Sequence, residues 1–166
     1  MTAWTRLAVM GVATLGLAGC GGDGPEGPSA GPTPMALTVE LRVALERGLQ
    51  DEYRAETIYQ GVITDLGQLL PFVNVLTAEQ RHSASIAALF TRRGLVAPPN
   101  RWTVANVPHF TTVPAACAAA VTAERENIAI YDELLRLDLP TDVRQVFTNN
   151  RSGSLDNHLP AFARCS

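Results

Sequence analysis

The sequence lacks the surplus of basic residues and the runs of like charge that nucleic-acid-binding proteins carry. Charged residues make up 17% of its 166 residues, the formal net charge at pH 7 is −3, and the pI is about 5.6. Because binding to a phosphate backbone requires a basic surface, this composition argues against a nucleic-acid partner. No run of residues has the alternation of a β-strand, and no cysteine motif typical of an iron–sulfur or rubredoxin-type centre is present. The apolar content of 46% suffices for one compact domain with a hydrophobic core.

A short apolar run near the N-terminus is typical of a secretory signal. It extends from Leu7 to Leu17, follows the single basic residue Arg6, and is too short to span a bilayer comfortably. The next residues complete the sequence LAGC, which resembles a bacterial lipobox, where cleavage before the cysteine leaves a lipidated Cys20. Residues 1–19 are therefore predicted to be a lipoprotein signal peptide. The alternatives are an ordinary signal peptide cleaved nearby or an uncleaved anchor.

The lipobox resemblance also implies a location and a membrane partner. Two or three acyl chains on Cys20 would anchor the protein stably to a membrane. Gly21 after the cysteine, rather than Asp, favours the outer membrane of a Gram-negative cell envelope, facing the periplasm. Residues 20–36 combine this cysteine with a segment rich in Gly and Pro, which is predicted to be a flexible tether. The folded domain is predicted to comprise residues 37–166.

Helical periodicity runs through this folded part and predicts an all-α domain. Four helices are predicted, at residues 38–67, 71–94, 114–137 and 142–165. Thr141 is the predicted N-cap of the fourth helix, and Gly153 and Pro160 are expected to weaken or kink it. Residues 95–113 contain several prolines and no sustained period, so they are predicted to form a long crossover along a helical bundle.

Each predicted helix carries an ionisable residue in the middle of its apolar stripe. A single glutamate of this kind is usually solvated at the edge of the stripe, and a single buried imidazole is usually a hydrogen-bonded core residue. Four consecutive helices with such a residue are much harder to explain by chance, because a buried carboxylate is costly unless it is paired or bound to metal. Glu79 and His82 also have the i, i+3 spacing that lets two side chains ligate one ion. The inward ionisable residues are Glu52, Glu79, His82, Glu124 and His158.

Two segments of the chain resemble one another. EYRAETIY begins at Glu52 and ERENIAIY begins at Glu124, and each has a tyrosine seven residues after its glutamate. A helix that carries a histidine follows each segment. This pattern is consistent with two helix pairs related by a pseudo-twofold axis, and chance similarity between amphipathic helices is the alternative. Tyr59 and Tyr131 themselves are interpreted as core residues.

The chain from about Leu37 to Cys165 resembles a ferritin-like domain, of the superfamily of ferritins, rubrerythrins and related di-iron proteins. It is most similar to an uncharacterised bacterial branch with NHL-x-AF in the last helix, which here is NHLPAF, residues 157–162. The resemblance implies a four-helix bundle with a long crossover between helices 2 and 3. It also implies two irons, held by one Glu from each of two helices and a Glu-x-x-His pair from each of the others. Carried over residue by residue, the implied metal ligands are Glu52, Glu79, His82, Glu124 and His158, with Glu56 and Glu126 as reserve candidates.

The fourth helix departs from the family pattern. Leu155 lies three residues before His158, where the pattern has a glutamate. Ser154 and Asp156 are the nearest polar replacements, but Asp156 is turned away from His158 on an ideal helix. Pro160 cannot donate the usual helix hydrogen bond, so distortion is expected there. Five ligands therefore remain, which leaves open two irons or a single metal ion, and manganese or zinc would also suit these oxygen and nitrogen ligands.

The spacing of two cysteines bears on the register of the third and fourth helices. Cys117 lies seven residues before Glu124, and Cys165 lies seven residues after His158. If these helices are antiparallel and both ligands bind one metal, the two thiols lie at the same level of the bundle, roughly 10 Å from the site. In an exported protein this favours a disulfide, with two small buried thiols as the alternative.

Together, the lipobox and ferritin-like resemblances imply an envelope-anchored metalloprotein that binds iron and reacts with oxygen or peroxide, as a ferroxidase or oxidase does. Any electrons would come from the substrate or from an unidentified redox partner. The alternative is a non-catalytic helical scaffold or binding lipoprotein with a degenerate or structural metal site. Leu155 is the best argument for this alternative.

Overall fold

The computed structural model describes residues 37–165, and all regular secondary structure in this part of the chain is helical, without a β-strand. The predicted all-α bundle is therefore confirmed. The predicted signal peptide of residues 1–19, the lipidation of Cys20 and the tether of residues 20–36 lie outside the described residues. Within the described range no helix combines the length and the apolar character needed to cross a bilayer. The helices are α1 Val39–Leu66, α2 Phe72–Thr91, α3 Val113–Leu134, α4 Thr141–Gly153 and α5 Leu159–Ala163.

Local sequence signals explain where most of these helices begin and end. The Thr38 hydroxyl accepts a hydrogen bond from the N–H of Leu41 at 3.1 Å and caps α1. Thr112 caps α3, and caps of this kind stabilise a helix by about 1 kcal/mol. Gly67 ends α1 with a φ of 94°, in the left-handed region that favours glycine. The predicted cap of the fourth helix is wrong: Thr141 is its first helical residue, and Pro140 precedes it without a side-chain hydrogen bond.

The fourth helix of the bundle consists of α4, a π-helical segment at Ser154–His158 and α5, which follow one another without a break. Pro160 lies just after the π-helical segment and has no N–H to donate to the preceding turn. The expected distortion is therefore present, and it is a widened turn that inserts one extra residue.

The connection between α2 and α3 runs along the length of α1, as predicted for a crossover. Midway along it, the Trp102 indole N–H donates to the carbonyl of Gln50 at 2.8 Å, in the middle of α1. At its end, His109 Nδ1 lies 2.9 Å from Asp65, in the last turn of α1. Helix α3 then returns antiparallel to α1.

The bundle core consists of two apolar clusters with a polar layer between them. One cluster contains Leu45, Leu49 and Phe147, and the other contains Tyr59 and Phe162; all five side chains are at most 1% exposed. Burial of each large apolar side chain stabilises the fold by roughly 1.5–3 kcal/mol. The stabilisation from these two clusters offsets the free-energy cost of burying ionisable groups in the polar layer.

A disulfide joins Cys117 near the start of α3 to Cys165 beyond the end of α5. Their Cα atoms are 5.7 Å apart, within the usual range for a disulfide, and the two residues are separated by 48 positions in the sequence. The bond therefore ties the C-terminal end of the fourth helix to α3, in the register that the cysteine spacing predicts.

Candidate metal centre

The structure brings all five predicted ligands together in the polar layer. Three of them are glutamates with exposures of 0–1%, and His158 is 4% exposed. His82 is half-buried at the edge of this layer. The five residues are Glu52 on α1, Glu79 and His82 on α2, Glu124 on α3 and His158 at the end of the π-helical segment.

Glu79 lies at the centre of the site and faces both imidazoles. Its Oε2 is 2.9 Å from His82 Nδ1, and its Oε1 is 3.0 Å from His158 Nδ1. One ligand atom from each of these three residues lies within 4.8 Å of the others. This cluster of one carboxylate and two imidazoles could hold a metal ion.

Glu52 and Glu124 flank the cluster on opposite sides. Glu52 Oε2 lies 3.5 Å from His82 Nδ1, and Glu124 Oε2 lies 3.5 Å from His158 Nδ1. The site therefore contains two equivalent groups, each with one imidazole and one flanking glutamate, and both share the carboxylate of Glu79.

Several atoms that point into this layer have no hydrogen-bond partner. Glu52 Oε2, Glu124 Oε2 and His158 Nδ1 are buried and unpaired, although the last is close to Glu79 without the alignment of a hydrogen bond. An unpaired buried polar atom costs about 1–3 kcal/mol, so native proteins contain few of them. Metal binding would satisfy all three atoms at once, and carboxylate oxygen with imidazole nitrogen suits a transition metal. The residues present fit a metal site.

The outer oxygens of the two flanking glutamates are held by tyrosines. Tyr59 donates a hydrogen bond to Glu124 Oε1 at 2.5 Å, and Tyr131 donates one to Glu52 Oε1. Both tyrosines are fully buried, so they are core residues as predicted, but they also orient the glutamates. The repeated Glu-to-Tyr spacing is the sequence signal for this role: each tyrosine serves the glutamate of the other repeat.

The family pattern has a glutamate one turn before His158, and the π-helical segment changes which residue occupies that position. Ser154 is fully buried, whereas Leu155 is 38% exposed and Asp156 is exposed. The widened turn thus points the residue four positions before His158 into the bundle. Ser154 donates to Asn127 Oδ1 at 2.8 Å, and Asn127 donates to Asp51 at 2.8 Å. The hydrogen-bonded chain of Ser154, Asn127 and Asp51 takes the place of a sixth ligand.

The two reserve candidates differ in where they lie. Glu126 is exposed and forms an ion pair with Arg54 at 3.1 Å, so it is outside the site. Glu56 lies one turn after Glu52 and is half-buried, with one unpaired oxygen. Burial raises the pKa of Glu56 above its usual value, and the nearby charges of Glu52 and Glu79 add to this effect, so Glu56 stays a reserve candidate beside the site.

Protons neutralise much of the charge of this site in the metal-free protein. Burial lowers the pKa of both imidazoles, but the neighbouring carboxylates outweigh it and raise the pKa of His82 to about 10 and that of His158 to about 9. Burial, with the charge of Glu79, raises the pKa of Glu52 to about 7. Burial would also raise the pKa of Glu79, but the two close imidazoles, His158 and His82, lower it below its ordinary value. The central carboxylate therefore lies between two imidazoles that favour the protonated form in the metal-free protein.

We expect the metal-free protein to lose stability as the pH rises from about 6.5 to 10. An imidazole whose pKa is raised on folding contributes all of its stabilisation below the unfolded pKa of about 6.5, and loses it as the pH passes the folded value. For His82 and His158 the folded values are about 10 and about 9. Because metal-bound imidazoles carry no extra proton, zinc-loaded protein should keep its melting temperature over this range. Thermal melts of both forms at several pH values test this, and equal falls in both forms would contradict it.

The fold and this site define an all-α bundle with a candidate Glu/His metal centre. Comparisons of the chain with protein-family models, curated proteins and solved structures found no match. The ferritin-like resemblance of the sequence therefore stays a prediction.

Proposed function

We propose that this protein is a ferritin-like metalloprotein that binds iron in the polar layer and reacts with oxygen or peroxide. One observation carries the proposal: buried ligand atoms from four helices converge, and several have no partner in the protein. The ligands are Glu52, Glu79, His82, Glu124 and His158. Iron is proposed from the family resemblance, because the same ligands would also bind manganese or zinc.

The arrangement of the ligands supports two ions rather than one. Glu52 and His82 would hold one ion, and Glu124 and His158 would hold the other. Glu79 presents one oxygen to each of these groups and is the shared ligand. With five ligands instead of six, bound ions would be able to take water or an oxidant as a further ligand.

The protein residues around the site would prepare it for this chemistry. When bound, ferrous iron supplies the electrons that reduce the oxidant. Tyr59 and Tyr131 fix the outer oxygens of the flanking glutamates, which leaves the inner oxygens free to bind metal. The apolar clusters above and below the polar layer exclude water from the ends of the bundle. Electrons beyond those of the iron would come from the substrate or a redox partner.

The proposed location is the bacterial cell envelope, with Cys20 as the lipid anchor and the domain facing the periplasm. This part of the proposal is based on the lipobox resemblance of residues 17–20. The disulfide between Cys117 and Cys165 supports it, because disulfides persist mainly in oxidising compartments.

A second candidate is a non-catalytic helical scaffold that keeps one structural metal ion, such as zinc. The observation that favours it is the hydrogen-bonded Ser154 in the place where the family pattern has a glutamate. A closed structural site would bind metal without consuming oxidant.

Anaerobic loading with ferrous iron separates the two candidates. We expect the metal-free protein to bind two irons per chain and to consume oxygen or peroxide when the oxidant is added. Metal analysis and an oxygen electrode measure the two quantities. One tightly bound zinc with no oxidant consumption would favour the scaffold. Absence of any stoichiometric transition metal would contradict the iron proposal and favour a scaffold with a degenerate site.

A further inference from the structure

A surface pocket lies between α2 and the fourth helix, directly over the two imidazoles. Its volume is about 360 Å³, within the range of roughly 300–1,000 Å³ that is usual for small-molecule sites. His82 and His158 both line it, and their rings are stacked with centroids 5.2 Å apart. Because each Nδ1 is turned towards Glu79, the opposite ring edges are the ones available to the pocket.

Gly153 brings the backbone of the fourth helix close to one of these rings. A Cβ at this position would lie 2.8 Å from both Cε1 and Nε2 of His82, closer than real contacts allow. The glycine therefore permits the pocket wall to approach the Nε2 edge of His82. A neutral imidazole whose Nδ1 is occupied by a ligand carries its proton on Nε2, so this edge can donate a hydrogen bond.

The remaining polar lining favours an anion. Arg81, Asn74 and Asn157 contribute a guanidinium and two amides, and no Asp or Glu lines the pocket. Arg81 is exposed and takes part in none of the ion pairs among residues 37–165. A guanidinium without a carboxylate partner is the group that best binds a planar carboxylate, through two parallel hydrogen bonds.

The rest of the pocket wall is apolar. It is formed by Pro71, Val75, Ala78 and Ala161. A purely inorganic anion would leave this wall in contact with water, whereas a short hydrocarbon chain would cover it. The ligand that matches both parts of the lining is a small organic acid.

We infer that this pocket binds a small organic carboxylate beside the metal centre. The carboxylate is bound by Arg81 with the amides of Asn74 and Asn157, and the short carbon chain lies on the wall of Val75, Ala78 and Ala161. The inference goes beyond metal binding, since none of these residues is among the proposed metal ligands. It places a second small molecule against His82 and His158, two of the proposed metal ligands.

Titration of the full-length protein with sodium butyrate, followed by calorimetry or saturation-transfer NMR, tests this site. We expect saturable binding in the metal-free or the zinc-loaded protein. Arg81→Gln should weaken it about tenfold or more, because a charge-assisted bidentate pair is lost. Arg136→Gln removes an exposed arginine outside the pocket and should leave the affinity unchanged. Ala161→Leu fills the apolar wall and should also weaken binding.

Comparison ligands and metal analysis complete the test. Butyramide and phosphate should bind at least about tenfold more weakly than butyrate, since one lacks the charge and the other the carbon chain. Absence of saturable butyrate binding in both forms, equal affinity in Arg81→Gln, or equally tight binding of phosphate would overturn the inference. Zinc stoichiometry is measured on the same samples, so failure of metal binding is recognised separately from failure of the carboxylate site.

Discussion

Glu79→Gln is expected to abolish stoichiometric metal binding while the bundle stays folded. The carboxylate of Glu79 faces both imidazoles, so its loss removes the one ligand that both halves of the site share. Glutamine has nearly the same shape, and Glu79 is only 1% exposed, so packing is preserved while the charge is lost. Loss of a residue that only hydrogen-bonds to a metal ligand costs about 10–100-fold in metal affinity. Loss of the shared ligand itself should therefore cost at least about a hundredfold.

Competition with a chelator, followed by metal analysis, measures this effect. Glu126→Gln is the matched control: it makes the same chemical change on an exposed glutamate that pairs with Arg54, and should leave metal affinity unchanged. Circular dichroism confirms that both variants are folded. Wild-type stoichiometry and affinity in Glu79→Gln would show that Glu79 is not the shared ligand.

Removal of the disulfide is expected to give the largest loss of stability. The double variant Cys117→Ala with Cys165→Ala opens a link between residues 48 positions apart. In the chain-entropy treatment a loop of this length stabilises the folded state by about 4 kcal/mol. For a helical domain of this size, the same free energy corresponds to a fall in melting temperature of roughly 10–15 °C.

Thermal melts with and without a reducing agent test the disulfide prediction. Reduced wild-type protein should melt close to the double variant, and the variant itself should not respond to the reductant. Metal stoichiometry should be retained, because each cysteine lies two helical turns from the nearest ligand, Glu124 or His158. A double variant that melts within about 2 °C of the oxidised wild type would contradict the prediction.

The helices and the ligand positions could be predicted because they depend on short-range regularities. Apolar residues at helical spacing identify the inward face of each helix, and the polar exceptions on that face, such as Glu79 and His82, are visible in the sequence. Helix ends could be predicted only to within a few residues: the predicted first helix includes Thr38 and Gly67, which cap it in the structure, and the predicted cap Thr141 is the first helical residue of α4. The crossover could be predicted because a proline-rich segment cannot continue a helix.

The fourth helix could be predicted only in part, because its register depends on one turn of unusual width. With ideal α-helical spacing, Leu155 occupies the inner position three residues before His158. In the structure that position belongs to Ser154, and Leu155 is turned outward. Pro160 indicates that a distortion is present, but the choice between a kink and a widened turn depends on packing against α3. The pairing of Ser154 with Asn127 therefore could not be derived from the sequence.

The crossed hydrogen bonds of Tyr59 and Tyr131 have a consequence for how such a bundle can be assembled. Glu52 lies on α1, in the pair α1–α2, but the hydrogen-bond donor to its outer oxygen is Tyr131 on α3. Glu124 lies on α3, but the donor to its outer oxygen is Tyr59 on α1. A helix pair on its own would therefore leave its glutamate unanchored. Two copies of one pair, joined about a twofold axis, would complete each other. The candidate metal centre thus depends on the contact between two halves, and neither half contains it.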